Sequence, residues 1–250
     1  MLDFSEKIVF ITGASGGLGG QMARDFAKYG ATVVAHDFGV PDAAAKLMAD
    51  LGRGHLEVEG DLTDPAVVRE IVAKIDKAFG RIDVLVNNAG ASPNKMAFSE
   101  LPVALWDKVV SINLRSVFLV TQACLPLLER SAGGRVINIS STAARNGGAP
   151  GGAAYAAAKG AVSSLTKAFA KDFCEKGILV NAVAPGLIDT PFYGGVNVAD
   201  KYAERLKGIP LRRAGAPADI AGPVLFLASS LASYITGEVF EVSGGLSLMA

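Results

Sequence analysis

The chain has 250 residues, half of them hydrophobic, with 24 basic and 24 acidic side chains. That length holds one α/β domain or two small ones, and that apolar content builds a sizeable core, which argues against a disordered chain. Balanced charge argues against the concentrated basic field that nucleic-acid and membrane-surface proteins use.

The opening segment, "MLDFSEKIVFIT", carries Asp3 and Glu6 where a secretion signal needs positive charge, and its apolar run is short. No run elsewhere approaches the ~18–20 apolar residues of a membrane span. A cytoplasmic protein without membrane contact is expected. Short β-branched runs then alternate with longer amphipathic ones. They predict strands at 7–12, 31–36, 55–60, 82–88, 134–140, 178–184 and 237–243. Helices are predicted near 17–29, 41–51, 65–79, 102–110, 115–131, 152–176 and 216–230. "VVAH" and "VLVNN" are nearly continuous apolar runs, as in strands covered on both faces. Connections of this length carry right-handed crossovers, so the seven strands form a mostly parallel sheet with helices on both faces. One doubly wound α/β domain over 1–250 is the economical reading.

Asp64 and Pro65 fit the N-cap and first position of the third helix. Cys124 and Cys174 stand far apart in helical segments and fit neither a disulfide nor a zinc site; both read as small buried hydrophobes, and no metal is expected. The stretch 186–210 shows no clear element and contains Gly194 and Gly195. Loops that long are uncommon in compact domains and often functional, so a hinged lid is expected there.

Three groups carry chemistry. The first strand runs into "TGASGGLG" and a helix, where glycines 13, 17 and 19 let the backbone approach a ligand and the helix N-terminus faces a pyrophosphate. Asp37 ends the second strand, where a carboxylate accepts hydrogen bonds from an adenosine ribose diol. It repels a 2′-phosphate by roughly 1–3 kcal/mol per unit charge, and neither Ser15 nor Gly16 offers a cation in compensation. NAD is therefore favoured over NADP. The third group is "YAAAK": Tyr155 and Lys159 lie one turn apart on one helix face. On spacing alone, an amphipathic tyrosine beside a solvated lysine is the better reading; a phenol beside an ammonium also suits acid–base work.

Taken together these motifs resemble the short-chain dehydrogenases/reductases, and within them the 3-oxoacyl-(acyl-carrier-protein) reductase-like group, over essentially the whole chain. The glycine loop (Gly13, Ser15, Gly16, Gly17, Leu18, Gly19), the "DLTD" turn (Asp61, Leu62), "NNAG" (Asn88, Ala89, Gly90) and "PGLIDT" (Pro185, Gly186, Ile188, Thr190) are similar to that family's cofactor contacts, which on this resemblance define a Rossmann fold. The resemblance also implies that Asn113 holds a water in a proton relay, that a serine binds the substrate oxygen, that Tyr155 transfers the proton, and that Lys159 contacts the nicotinamide ribose. A Lys159 ammonium ~5 Å from the phenol contributes about 3 kcal/mol towards its ionised form. Ser141 matches the "ISS" pattern and Ser140 stays open, because the loop onward to Tyr155 is about one residue longer than usual.

The implied activity is hydride transfer between NAD(H) and a secondary alcohol or ketone, with candidates among 3-oxoacyl thioesters, sugars, polyols, hydroxysteroids and hydroxy acids. Substrate contacts are expected from Ser141, Tyr155 and Phe192, with Tyr193, Arg145 and Asn146 nearby. An acyl-carrier protein is a candidate partner through Arg130 and Lys176, whose plainer reading is a charge at a helix C-terminus. The helices at 115–131 and 152–176 carry small apolar residues, among them Ala153, Ala154, Ala156, Ala157, Ala158 and Ala161, and the resemblance, through the four-helix interface that family members build from this pair, implies a homo-tetramer. A serine hydrolase fails for want of a histidine beside any candidate serine and of a G-x-S-x-G elbow. A non-catalytic cofactor-binding regulator, or a lyase or epimerase on this fold, is the alternative.

Overall fold

The computed structural model describes residues 2–92, 96–190, 192 and 198–246. Seven strands, β1 (Ile8–Thr12), β2 (Thr32–Asp37), β3 (Leu56–Glu59), β4 (Val84–Asn87), β5 (Arg135–Ile139), β6 (Leu179–Pro185) and β7 (Val239–Val242), form one sheet in the order β3-β2-β1-β4-β5-β6-β7. Every pairing is parallel. The order reverses between β1 and β4, and a crevice opens at the strand C-termini where such a reversal occurs.

Strand alternation sends side chains to two separate cores. Val9, Ile11, Val33, Ala35, Val84 and Val86 face α1 (Gly17–Lys28), α2 (Pro41–Leu51) and α10 (Pro217–Ala228), where Met22, Phe26, Leu47 and Val224 meet them. Ile8, Phe10, Val34, Leu85 and Val136 face the opposite way, onto Ile71 and Ile75 of α3 (Pro65–Phe79), Val120 and Cys124 of α5 (Ser116–Leu128) and Phe173 of α7 (Ala153–Phe173). The near-continuous apolar runs follow from this double burial. The α3 start is as expected: the Asp64 carboxylate accepts from the Ala66 N–H at 2.7 Å and Pro65 occupies the first position.

Four expectations are corrected. Helix α4 (Val103–Val110) does not stop before α5; a π-helical turn, Ser111–Arg115, joins them into one helical run. That run, Val103–Leu128, is long and apolar enough by composition to cross a membrane, unlike anything foreseen from the sequence. Its buried side chains, Val117, Val120, Cys124, Leu127 and Leu128, are the inner face of a helix packed in the domain's core. Cys174 is exposed, with its thiol against the Lys171 carbonyl, while Cys124 is fully buried.

The fourth concerns 186–210, which does contain elements: α8 (Val198–Lys201) and α9 (Ala203–Lys207). Leu187, Val198 and Ile209 form a small separate core beneath them. The segment leaving β6 is pinned by Gly215, which donates to the Leu187 carbonyl and accepts from the Asp189 N–H. Gly194, Gly195 and Tyr193 lie outside the described residues, as do 93–95 and 247–250. The short helix α6 (Ala143–Asn146) completes the set.

Candidate active site

The C-terminal ends of β1 through β6 open into one cavity of about 1070 Å³. The residues that the sequence placed in contact with cofactor or substrate line it, as do Ser141, Tyr155 and Lys159, whereas Asn113, Arg145 and Asn146 do not.

At one end lies the glycine loop. Gly13 has φ +63°, and a Cβ on Gly19 would lie 2.1 Å from the Gly13 carbonyl oxygen, so the turn closes only without side chains at these positions. Asn88 fastens this turn to β4 by donating to the Thr12 and Gly13 carbonyls at 2.9 and 3.0 Å. The Thr12 hydroxyl accepts the N–H groups of Asn88 and Ala89. His36 supports the same loop: its Nδ1 accepts from the Gly13 N–H at 3.3 Å and its Nε2 meets the Gly60 carbonyl at 2.9 Å. That pairing places the ring proton on Nε2, and burial lowers the histidine pKa, which favours this neutral form. Neither Thr12 nor His36 was given this role from sequence: Thr12 opens the "TGASGGLG" stretch without a function assigned to it, and a histidine at a strand end carries no motif.

Asp37 is almost fully buried. Its carboxylate accepts the Ser15 N–H at 3.0 Å and the Ser15 hydroxyl, which fixes its orientation while leaving lone pairs for further donors. Asp61 accepts from the Thr63 N–H and hydroxyl at 2.9 and 2.8 Å. Phe38, 60% exposed, lies on the wall beside Asp37.

The other end is built by β5 and α7. Ser140 is buried and points away from the cavity's centre: its hydroxyl meets the Lys159 carbonyl at 3.0 Å and the Ser163 hydroxyl at 2.7 Å. Ser141 points the opposite way, as alternation along a strand requires, and its oxygen accepts the Ala143 N–H at 3.1 Å. Among the described residues its hydroxyl proton has no acceptor, and so suits a ligand oxygen. Lys159 is 3% exposed and donates to the Ile139 carbonyl at 2.7 Å; burial holds its pKa down to about 8. Its Nζ lies 5.8 Å from the Tyr155 ring centroid. Phe192 flanks that ring at 5.9 Å.

Asn113 stands behind this surface, fully buried within the π-helical turn. Its amide donates to the Ala91 and Val109 carbonyls at 2.7 and 2.9 Å, and its Oδ1 accepts from the Ala91 N–H at 3.2 Å. The amide protons are therefore spent on Ala91, in the chain after β4, and on Val109, in the last turn of α4. A Cβ on Gly90 would come within 2.7 Å of Asn113 Oδ1 and 3.3 Å of Lys159 Nζ, so these two groups meet across a bare backbone.

Arg145 and Asn146 do not reach the cavity. Arg145 faces Glu241 at 3.4 Å, and the neighbouring lining comes from Ala143, Gly148, Ala149 and Gly152. Arg130 pairs with Asp76 and Lys176 with Glu129, so each cation proposed for a carrier protein already has an acid of this chain beside it. Among the described residues no cluster of acids, histidines or cysteines suits a metal.

A seven-stranded parallel sheet, a glycine turn that closes against a helix N-terminus, and a buried acid at the end of β2 are features that suit a dinucleotide, and Tyr155 and Lys159 share the same cavity. A family profile described as enoyl-(acyl carrier protein) reductase matches residues 13–247. The chain belongs to the short-chain dehydrogenase/reductase family. It is 39% identical over 246 residues to nodulation protein G of Azospirillum brasilense, covering 97% of this chain and 99% of that one. It is 38% identical to the 3-oxoacyl-(acyl-carrier-protein) reductase of Thermotoga maritima, covering 96% and 97%. A crystal structure of the 3-ketoacyl-(acyl-carrier-protein) reductase of Brucella melitensis, complexed with NADH, superposes with a TM-score of 0.91 at 33% identity, over 98% of this chain and all of that one.

Proposed function

We propose that this enzyme interconverts a secondary alcohol and a ketone with NAD(H) in preference to NADP(H). The observation that supports the chemistry is the convergence of Tyr155, Lys159 and the uncommitted Ser141 proton in the cavity that also holds the glycine loop and Asp37. A nicotinamide dinucleotide, when bound, supplies the hydride acceptor or donor. Gly13, Gly19 and the α1 N-terminus would hold its pyrophosphate and Asp37 its adenosine ribose. Ser141 donates a hydrogen bond to the substrate oxygen and orients it towards Tyr155. Tyr155 takes the alcohol proton in oxidation and returns it in reduction. Lys159, an ammonium beside that phenol, favours the phenolate. Asn113 acts as a positioning residue by fixing the backbone from Gly90 to Ala91.

The NAD preference rests on Asp37, and the assembly we propose is a homo-tetramer. A regulator without catalysis does not account for the Ser141 proton aimed into the cavity. A thioester on an acyl-carrier protein is one substrate within this reading, by likeness to the Thermotoga and Brucella enzymes.

A spectrophotometric screen of ketones, alcohols and 3-oxoacyl thioesters with both cofactors tests the proposal, with Tyr155→Phe as control. Turnover in the variant should fall below detection, while cofactor affinity stays within about threefold. Turnover within tenfold of the parent would remove Tyr155 from the proton-transfer role.

A further inference from the structure

Arg205 lines the cavity from α9. Its neighbours fix which way it faces: Leu206 packs into the small core with Leu187 and Ile209, and Glu204 is engaged by Lys207 at 2.6 Å. Arg24, Arg81, Arg130, Arg145 and Arg213 each have a carboxylate partner, and Arg135 and Arg212 donate to carbonyls. Arg53, Arg69 and Arg115 are exposed to water. Arg205 is partly buried, yet among the described residues its guanidinium has neither an ion pair nor a hydrogen bond.

Withdrawing even part of a guanidinium from water without a partner is unfavourable, and among the described residues no acid of the cavity pairs with it. The two carboxylates that line the space, Asp37 and Asp61, follow β2 and β3 and are bound by Ser15 and Thr63. Arg205 follows β6 instead, in the same segment as Thr190 and Phe192, the residue against the Tyr155 ring. Lys159 is occupied by the Ile139 carbonyl.

We infer that Arg205 binds an anionic oxygen group of the substrate, so that the preferred substrate is a ketone or alcohol carrying a carboxylate or phosphate away from its reacting carbon. This rests on the oxidoreductase reading above. A guanidinium presents a planar pair of donors that matches either anion, which a lysine does not. The cofactor's own diphosphate is the other anion that the same group could meet, and the test separates the two.

The experiment is steady-state kinetics on pairs of ketones that differ only in charge: 4-oxopentanoate with its methyl ester, and 4-oxocyclohexanecarboxylate with its methyl ester. The parent, Arg205→Gln and Arg205→Lys are compared at fixed ionic strength with each cofactor. The parent should favour the acid over the ester at least tenfold in kcat/KM. Arg205→Gln should bring the ratio near one, chiefly through the KM of the acid, and Arg205→Lys should restore part of it. An acid-to-ester ratio near one in the parent overturns the inference. So does an unchanged ratio in Arg205→Gln accompanied by a higher cofactor KM, which assigns the group to the diphosphate. Turnover of no ketone, acid or ester, with either cofactor overturns the oxidoreductase reading itself.

Discussion

Asp37 is oriented in advance of the ribose that we propose it binds, because Ser15 donates to both carboxylate oxygens from its backbone. A preformed acceptor loses little freedom on binding, and a 2′-phosphate would meet a fixed negative charge. NAD should therefore exceed NADP in kcat/KM by roughly one to two orders of magnitude, or about 1.4–2.8 kcal/mol. Asp37→Ser should weaken NAD more than it improves NADP. Adding Phe38→Arg, at an exposed cavity-wall position, should then reverse the preference. Kinetics with both cofactors check each step, and a parent that prefers NADP would overturn the role given to Asp37.

Lys159 gives a second residue-scale prediction. Burial depresses its pKa from 10.5 to about 8, so between those pH values the unfolded chain binds the extra proton and the fold does not. Stability from this group therefore rises with pH across that window and is lost as pH falls through about 8, a swing on the order of 3 kcal/mol. Thermal melts of the cofactor-free protein should show Lys159→Met gaining less than the parent between pH 8 and 10. Parallel pH dependence in the two proteins would contradict it. The group to which we assign a catalytic role thus weakens the fold at neutral pH.

At the scale of elements, the π-helical turn at Ser111–Arg115 shifts the register so that the Val109 carbonyl meets the Asn113 amide. Asn113→Ala should remove three buried contacts and leave the Ala91 groups without their partners, at a cost of about 2–4 kcal/mol and a lowered Tm. Its turnover should drop at least tenfold with the Tyr155 and Lys159 side chains intact. A variant as stable and as active as the parent would show that the brace is dispensable. This turn was not legible in the sequence, because nothing in "SINLR" separates a π register from an α one. The strands and long helices were legible, since period-two and period-3.6 patterns are imposed directly by the two cores. The choice between Ser140 and Ser141 needed the structure. Alternation says that the two face opposite ways, but Ser163, which captures Ser140, stands 23 residues on. Cys174 misled because its helix ends at Phe173 and the thiol falls on the solvent side.

For the whole molecule, exposed apolar groups gather on the α4–α5 run: Val103 at 75%, Phe118 at 41% and Trp106 at 36%. The alanines of α7, which packs against α4, include the exposed Ala153 and Ala157. Small side chains let helices of a second subunit approach closely, and two such interfaces would build the tetramer. Light scattering should return a tetrameric mass at micromolar concentration, and a monomeric mass would count against it.

The strand order carries one more consequence. The cavity draws Asp37 from the end of β2, Gly13, Gly90, Ser141 and Gly186 from the segments that follow β1, β4, β5 and β6, and its Arg205 stands later still. Parallel pairing joins strands distant along the chain, so no local fragment holds even half of the wall. A ribosome must release the chain well past β6 before the wall is complete, so a cofactor can act as a ligand of the finished domain and not as a guide for the emerging one. Mass action then places its stabilising effect wholly on the unfolding side: bound dinucleotide should slow loss of structure while leaving the rate of first acquiring it unchanged.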